Sequence, residues 1–336
     1  MAFDRPLLFG IQPTWGKWVG EDPQTFDSQM LAKLAEARCQ LARVDSGWDK
    51  VWGGDTEPPS PNWTETDHEV QTVQQAGITP LIWLTIVPKW ARSDPNDENT
   101  PPIDSEPYIT KFINFHQAIA ERYKNQGVIY FEFENETNSK AGWAADTLGK
   151  WLLRARQGLL AGNASVILIA GSTWPSDSVY LNNVYSYCDG QGVPFPFGAV
   201  AVHPYPGDGR GSIDLQKIRD YRTVMDNRGD LNGPIWVTEY GWQTQGVAFT
   251  EHDKAQRVAD ALNKLAFDPE FSYVKAASLI QALDIIRDPP ANSDYFGIME
   301  KDPPTFTPRP AYQIFAVWTK GTLTASEERG PILAAV

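Results

Sequence analysis

The chain has 336 residues, of which 42% are hydrophobic and 21% are charged, and its formal net charge is −13. This composition is ordinary for a globular protein with a sizeable core. The acidic balance argues against a nucleic-acid partner, because phosphate binding needs a basic stripe and the sequence shows none. No apolar run approaches the roughly 20 residues of a membrane-spanning helix, so we expect no membrane partner.

The two cysteines give no sign of a metal site. Cys39 and Cys188 lie far apart, in no Cys-x-x-Cys motif and beside no histidine, so we expect buried free thiols and no metal cluster. No other motif in the sequence implies a cofactor. Residues 1–6 lack a charged start followed by an apolar core, which predicts no signal peptide in the chain as given. A secreted mature form and a cytoplasmic protein are both compatible with this start, and we expect a monomer.

Short β-prone runs alternate with longer amphipathic stretches along the chain. The predicted strands are 7–12, 41–45, 78–84, 128–134, 166–170, 199–203, 235–239 and 277–282. Helical periodicity occupies the intervals, for example 26–37, 65–76, 109–123, 148–160, 215–227 and 254–267. Repeated strand–helix units with apolar strands indicate a parallel sheet covered by helices. Eight units predict an α/β fold, the single-domain (β/α)8 TIM barrel, with a doubly wound open sheet as the alternative.

The loops have unequal lengths. The turns from a predicted helix into the next strand are short, whereas long segments rich in Pro, Gly, Asp and Trp follow the strands at 48–63, 88–107, 172–192 and 286–310. In a barrel these long loops share one end, where active sites are built. We expect residues 1–322 to form the barrel and residues 323–336 to form a C-terminal extension.

Two glutamates stand at the carboxyl ends of predicted strands. Glu136 follows the fourth strand and Glu239 ends the seventh, so both side chains would open onto the same face of one barrel. Hydrolysis of a glycosidic bond needs two carboxyl groups, because one protonates the leaving oxygen while the other attacks or stabilises the sugar cation. The pair therefore predicts a glycosidase.

An ordered set of motifs accompanies these glutamates: Arg43 in the second strand, Pro88-Lys89-Trp90-Ala91 after the third, Asn135-Glu136 after the fourth, His203-Pro204-Tyr205 after the sixth, and Pro308-Arg309-Pro310-Ala311-Tyr312 near the end. The set resembles the clan A glycoside hydrolases over roughly residues 7–320, with a motif pattern closest to families 39 and 5. The resemblance implies a retaining hydrolase that cleaves an oligo- or polysaccharide by double displacement. Glu136 would be the acid/base and Glu239 the nucleophile.

The resemblance also implies roles for four neighbours. Asn135 would bind the sugar 2-hydroxyl, Tyr205 and Arg43 would hold Glu239 ionised, and His203 would line the same floor. For Arg43 and His203 a purely structural network inside the barrel is the alternative. Thr137 stands where many relatives have proline, and residues 278–284 lack the tryptophan that commonly ends strand eight.

Glu132 and Glu134 are alternative candidates for the acid. Alternation along the strand places both on the opposite side from Asn135, so we interpret them as members of a polar or salt-bridged layer in the barrel.

Thirteen tryptophans are many for this length. Aromatic faces stack on the apolar faces of pyranose rings, and we predict that Trp15, Trp174 and Trp242 bind substrate. Core packing is the alternative for any tryptophan.

Two further functions stay open at this stage. A sugar-binding barrel that has lost catalysis would use the same cleft without hydrolysis. A transglycosidase would transfer the glycosyl group to a sugar instead of water.

Overall fold

Eight parallel strands close into a barrel in the computed structural model, which describes residues 7–244, 249–287 and 293–319. The strands are β1 (Leu8–Ile11), β2 (Leu41–Asp45), β3 (Thr79–Leu84), β4 (Tyr130–Phe133), β5 (Ile167–Ala170), β6 (Ala199–Val202), β7 (Ile235–Tyr240) and β8 (Val274–Leu279). They pair in chain order, and β1 pairs with both β2 and β8. This closure confirms the predicted (β/α)8 barrel and excludes the open sheet.

Helices connect the strands and cover the outside of the barrel. They are α1 (Gly16–Val19), α2 (Pro23–Glu36), α3 (Trp48–Trp52), α4 (Thr64–Gln75), α5 (Tyr108–Tyr123), α6 (Ala145–Gly162), α7 (Ser178–Gly190), α8 (Leu215–Asn227), α9 (Glu251–Phe267) and α10 (Pro310–Thr319). Side-chain caps begin several of them. Asp22 accepts from the Thr25 amide at 3.1 Å at the start of α2, and Thr250 and Asp253 form a capping box at α9.

The barrel interior is apolar at one end and polar at the other. Small and aliphatic residues with one tryptophan fill the lower part: Leu41, Leu81, Ile169, Ala199, Ala201, Trp236 and Ala276. Nearer the carboxyl ends of the strands, the buried residues include Arg43, Glu132, His203 and Thr238. Buried charges need partners, so we expect these side chains to pair with one another. The apolar layer lies beneath this polar layer, toward the amino ends of the strands.

The eighth strand was predicted three residues too late. It spans Val274–Leu279 instead of 277–282. Residues 276–279 and 281–283 are all buried, and the amide of Ala282 donates to the carbonyl of Gln12 at 3.0 Å. Because burial continues past the end of β8, no change in the sequence pattern marks where the strand ends.

The predicted loop over residues 172–192 is mostly helix. Helix α7 begins at Ser178, after Asp177 accepts a hydrogen bond from the Tyr180 amide at 2.9 Å. Its buried residues are Leu181, Val184, Tyr185 and Cys188, which follow helical spacing. The loop between β5 and α7 is therefore short. The long segments after β2, β3 and β8 do lie at the carboxyl end of the barrel, with α3 inside the first of them.

The predicted C-terminal extension, residues 323–336, lies outside the described residues. Among the helices that are described, we find none that is long and apolar enough to cross a membrane.

Candidate active site

The two predicted carboxylates lie together at the carboxyl end of the barrel. Glu239 is the fifth residue of β7, and Glu136 follows β4 by three residues. One oxygen of each carboxylate and one ring nitrogen of His203 all lie within 4.8 Å of one another. The structure therefore brings Glu136, Glu239 and His203 to one point, although their catalytic roles stay predictions.

The backbone turns sharply before Glu136. Glu134 and Glu136 both have left-handed backbone conformations, with φ of 60° and 48°. Non-glycine residues rarely adopt this conformation, and those that do are concentrated at functional sites. The turn breaks the alternation of β4. The expectation that Asn135 faces away from Glu132 was wrong, because both side chains accept hydrogen bonds from Arg43.

Arg43 is the centre of the buried polar network. Its Nε donates to Glu132 at 2.8 Å, Nη2 donates to Asn135 Oδ1 at 3.1 Å, and Nη1 contacts both Gln12 and Glu239. The guanidinium also lies 4.1 Å from the centre of the Trp83 ring. Few other side chains could satisfy so many partners, since the guanidinium offers five donors in a fixed plane.

The environment of Glu239 favours its ionised form. Burial raises the pKa of this carboxyl, but the charges of His203 and Arg43 outweigh it, together with hydrogen bonds from Arg43 and Tyr205. The pKa of Glu239 is therefore lowered. Tyr205 Oη donates to Glu239 Oε2 at 3.1 Å, and the pKa of Tyr205 is raised far above its ordinary value, chiefly by burial. The phenol thus stays a hydrogen-bond donor.

His203 lies between the two carboxylates. Its Nδ1 is 2.8 Å from Glu136 Oε1 and 3.6 Å from Glu239 Oε2, and its Nε2 is 3.0 Å from Thr238 Oγ1. Burial lowers the pKa of His203, but the charge of Glu239 and the contact with Glu136 outweigh it and raise the pKa. The imidazole therefore keeps its proton over a wider pH range than an exposed histidine.

The alternative acids are engaged elsewhere. Glu132 is fully buried against Arg43, and Glu134 accepts from Lys140 Nζ at 3.0 Å. Glu132 belongs to the salt-bridged network inside the barrel, as the interpretation expects, whereas Glu134 lies past the end of β4 and pairs with Lys140 of the segment that follows.

Within the described parts of the chain, one group of three side chains could hold a metal ion: Glu136, His203 and Glu239. A cation bound there would meet the guanidinium of Arg43, which already contacts Glu239. This like-charge neighbour disfavours a metal at this point.

A cavity of about 440 Å³ opens beside the carboxylates, and both Glu136 and Glu239 line it. Its other walls are mainly aromatic and apolar, with Trp174, Tyr205, Trp242, Ile280 and Phe296 among them. Trp174 is 42% exposed and its ring meets that of Tyr205 edge-on, with centroids 5.3 Å apart. An exposed aromatic face of this kind can stack on the apolar face of a pyranose ring.

The other two predicted tryptophans are buried. Trp15 is fully buried in the core between barrel and helices, so the prediction that it binds substrate was wrong. Trp242 lines the cavity but is only 1% exposed, and its Nε1 donates to the carbonyl of Gly211 at 2.9 Å. It supports the wall of the cavity and presents little surface for stacking.

Phe296 is a wall residue that the sequence did not reveal. It belongs to the long segment after β8, and its ring centre lies 6.1 Å from that of Tyr205. A side chain at Gly241 would lie 2.7 Å from Ile280 and 3.1 Å from Phe296, so glycine is required there. Ile280 and Phe296 together line the side of the cavity near β8.

A second cavity, of about 470 Å³, lies beside Glu136 and is polar. Asp97, Asn99, Asn135, Ser139 and Lys140 line it. Glu136 lines both cavities, so it stands at the junction of an aromatic and a polar space.

Solved structures share this architecture at low sequence identity. A family 39 glycoside hydrolase from the gut symbiont Bacteroides cellulosilyticus matches with a TM-score of 0.69 at 20% identity, covering 95% of this chain and 64% of that one. A glucosidase from Croceicoccus marinus matches with a TM-score of 0.71 at 18% identity, covering 94% and 67%. A xylanase from Thermotoga petrophila matches with a TM-score of 0.65 at 14% identity, covering 94% and 95%.

The chain spans about two thirds of the length of the first two of these proteins. Among curated proteins, none matches its sequence. A family model does match: the model described as cellulase (glycosyl hydrolase family 5) covers residues 4–272. The protein is therefore a (β/α)8-barrel member of glycosyl hydrolase family 5, within clan A.

Proposed function

We propose that this protein is a retaining glycoside hydrolase with Glu136 as acid/base and Glu239 as nucleophile. One observation carries the proposal: an oxygen of each carboxylate lies within 4.8 Å of the other, and both groups line the same cavity. Retaining enzymes keep their carboxyl groups about 5–5.5 Å apart, whereas inverting enzymes leave about 6.5–9.5 Å for a water molecule. The short separation favours direct attack by a carboxylate.

The reaction takes two displacements. In the first, Glu136 gives its proton to the glycosidic oxygen while an oxygen of Glu239 attacks the anomeric carbon, and the bond to the leaving group breaks. In the second, the ionised Glu136 takes a proton from water as the water oxygen attacks the same carbon and releases Glu239. Two inversions give net retention.

The residues around the two carboxylates position and charge them for these steps. Arg43 and Tyr205 hydrogen-bond to Glu239 and hold it ionised before attack. Arg43 Nη2 donates to Asn135 Oδ1 and so orients this side chain, and in the proposed mechanism the amide nitrogen of Asn135 donates to the sugar 2-hydroxyl.

We further infer that the substrate is an oligo- or polysaccharide. Cavities on both sides of Glu136 offer room for groups on either side of the broken bond. Structural neighbours include xylanases and fungal β-1,4-galactanases, which supports a glycan chain as substrate but not a particular sugar.

The proposal is tested with a panel of neutral polysaccharides and aryl glycosides, with product sizes measured by chromatography. We expect hydrolysis of at least one polysaccharide to soluble oligosaccharides. Glu239→Gln, which is close in size and uncharged, is the matched control and should be inactive on the same substrate. A wild-type protein that binds glycans without releasing products would identify the sugar-binding alternative, and products longer than the substrate would identify a transglycosidase.

Removing the phenol of Tyr205 should change the pH dependence of activity. In Tyr205→Phe, Glu239 loses one of the hydrogen bonds that lower its pKa, so a larger fraction of the carboxyl is protonated at acidic pH. The acid limb of kcat/KM should therefore move to higher pH, with activity reduced about 10- to 100-fold below neutral pH. Kinetics across the pH range check this, and an unmoved acid limb would show that Tyr205 does not tune the nucleophile.

Trp174 and Trp242 should respond differently to replacement by alanine. Trp174 is exposed at the cavity, so Trp174→Ala should weaken substrate binding by about 1–3 kcal/mol and change stability by no more than about 0.5 kcal/mol. Trp242 is buried, so Trp242→Ala should cost about 3–5 kcal/mol of unfolding free energy. Calorimetric titration with the preferred oligosaccharide and denaturant unfolding measure the two effects. The opposite pattern would place Trp174 in the core.

A further inference from the structure

The backbone of Trp174 is held by the side chain of Asn138. The amide of Trp174 donates to Asn138 Oδ1 at 2.8 Å, and Asn138 Nδ2 donates to the Trp174 carbonyl at 3.2 Å and to the Pro175 carbonyl at 3.4 Å. A single amide group thus binds both the donor and the acceptor of one residue. These hydrogen bonds restrict the movement of the loop after β5.

Asn138 belongs to the segment that carries Glu136. It lies two residues further along, in the 3-10 turn Thr137–Ser139. A second link joins the same two loops, because the amide of Glu136 donates to Ser172 Oγ at 3.3 Å. The positions of Trp174 and Glu136 are therefore coupled through side chains that do not react.

The indole ring is oriented from its other side. Lys217 Nζ lies 5.7 Å from the centre of the Trp174 ring and donates to the carbonyl of Tyr205 at 2.8 Å. The Tyr205 ring meets the indole edge-on. The contacts of Lys217 and Tyr205 orient the indole ring, whereas the hydrogen bonds of Asn138 fix the position of the Trp174 backbone.

We propose that Asn138 is a positioning residue that fixes Trp174 as a stacking platform for a neutral sugar ring next to the one that reacts. Asn138 itself does not line the aromatic cavity, so it acts through Trp174 and not on the substrate. The proposal rests on the glycosidase function above. Recognition of longer substrates would then depend on a residue of the segment that carries Glu136.

The test compares two substrates of the same sugar. One is an oligosaccharide long enough to place rings on both sides of the cleaved bond. The other is the single-sugar glycosyl fluoride, whose one-atom leaving group and lone ring reach no second subsite. In Asn138→Ala we expect KM for the oligosaccharide to rise about tenfold, the scale of one or two lost neutral hydrogen bonds. The kinetic constants for the fluoride should stay within about twofold of wild type.

A double-variant cycle shows whether the effect passes through Trp174. In the Trp174→Ala background, Asn138→Ala should change KM for the oligosaccharide by less than about twofold, because the platform is already gone. Asn138→Asp keeps the acceptor for the Trp174 amide but turns a carboxylate oxygen toward the two carbonyls to which Asn138 donates, so its KM should rise at least as far as that of Asn138→Ala. Asn183→Ala, on the exposed part of α7, is the matched control and should behave as wild type.

The measurements separate a failure of the proposed function from a failure of the positioning role. No hydrolysis of either substrate by the wild-type protein would refute the proposed function itself. With an active wild type, equal losses on both substrates would overturn the positioning role and indicate damage to Glu136. Full additivity in the cycle would show that Asn138 acts by a route other than Trp174. An unchanged KM for the oligosaccharide in folded Asn138→Ala would end the proposal.

Discussion

In Glu239→Ala, kcat should fall by roughly 10⁴-fold or more, because no carboxylate remains to attack the anomeric carbon. Glu136→Ala should behave differently. Its nucleophile is intact, so an aryl glycoside with a good leaving group should still form the covalent intermediate without acid assistance. Breakdown of that intermediate should then be slow, because no base activates water.

Azide separates the two roles. It needs no base, so in Glu136→Ala it should restore turnover and give a glycosyl azide with the configuration of the substrate. In Glu239→Ala azide has to attack from the opposite direction to the leaving group, which gives the inverted azide if any forms. Product configuration is read by NMR.

The neighbouring carboxylate supplies the control. Glu134 lies two residues before Glu136 and pairs with Lys140. The Glu134→Gln enzyme should therefore hydrolyse the aryl glycoside without added azide. The reverse assignment of azide configurations would show that the roles of Glu136 and Glu239 are exchanged. Rescue of Glu134→Gln instead would make Glu134 the acid.

Arg43→Met should be the most damaging change outside the carboxylate pair. It leaves Glu132 buried without its cation and leaves Glu239 with His203 alone, and breaking a buried ion pair in this way costs about 3–5 kcal/mol. The lost charge also removes one cause of the lowered pKa of Glu239, so any remaining activity should shift to higher pH. Denaturant unfolding and a pH profile measure the two effects.

Two variants test the cause of this loss. Arg43→Met combined with Glu132→Gln removes one unpaired charge and should recover part of the stability. Arg219→Met is the matched surface control, since its pair with Glu270 is largely exposed and should contribute little to the free energy of unfolding. A loss at Arg43 no larger than that at Arg219 would contradict a central role for the buried network.

The barrel and the position of the carboxylates were predictable because both depend on order along the chain. Continuous apolar strands that alternate with amphipathic stretches indicate a covered parallel sheet, and every strand of such a barrel ends on the same face. Glu136 and Glu239 had to meet once their strands were recognised as the fourth and the seventh. The proximity of Arg43 and Tyr205 to Glu239 follows from the same rule.

Local geometry was less accessible to the sequence. The left-handed turns at Glu134 and Glu136 have no glycine to signal them, so strict alternation put Asn135 on the wrong side of the strand. Helix α7 is rich in Tyr, Val and Asn, which are moderate helix formers. Its capping Asp177 and the stripe from Leu181 to Cys188 were the available signals.

The exposure of tryptophan could not be predicted from loop position. Trp15 directly precedes the short helix α1, and Trp242 follows β7, yet both rings are buried. Burial there depends on contacts far along the chain, such as the bond from Trp242 to Gly211. Phe296 was missed for the same reason, since its place beside Tyr205 depends on how the segment after β8 folds back.

In the proposed mechanism Glu239 forms a covalent bond to the sugar. A 2-fluoro glycoside with a good leaving group slows both displacements but slows release of the intermediate more, so the glycosyl-enzyme accumulates. Mass spectrometry of the intact protein and of its peptides measures the adduct. We expect one added glycosyl group, on the peptide that contains Glu239, and none in Glu239→Ala. A label on any other residue would show that Glu239 is not the nucleophile, and the absence of an adduct while the wild-type enzyme releases products of inverted configuration would exclude a covalent intermediate.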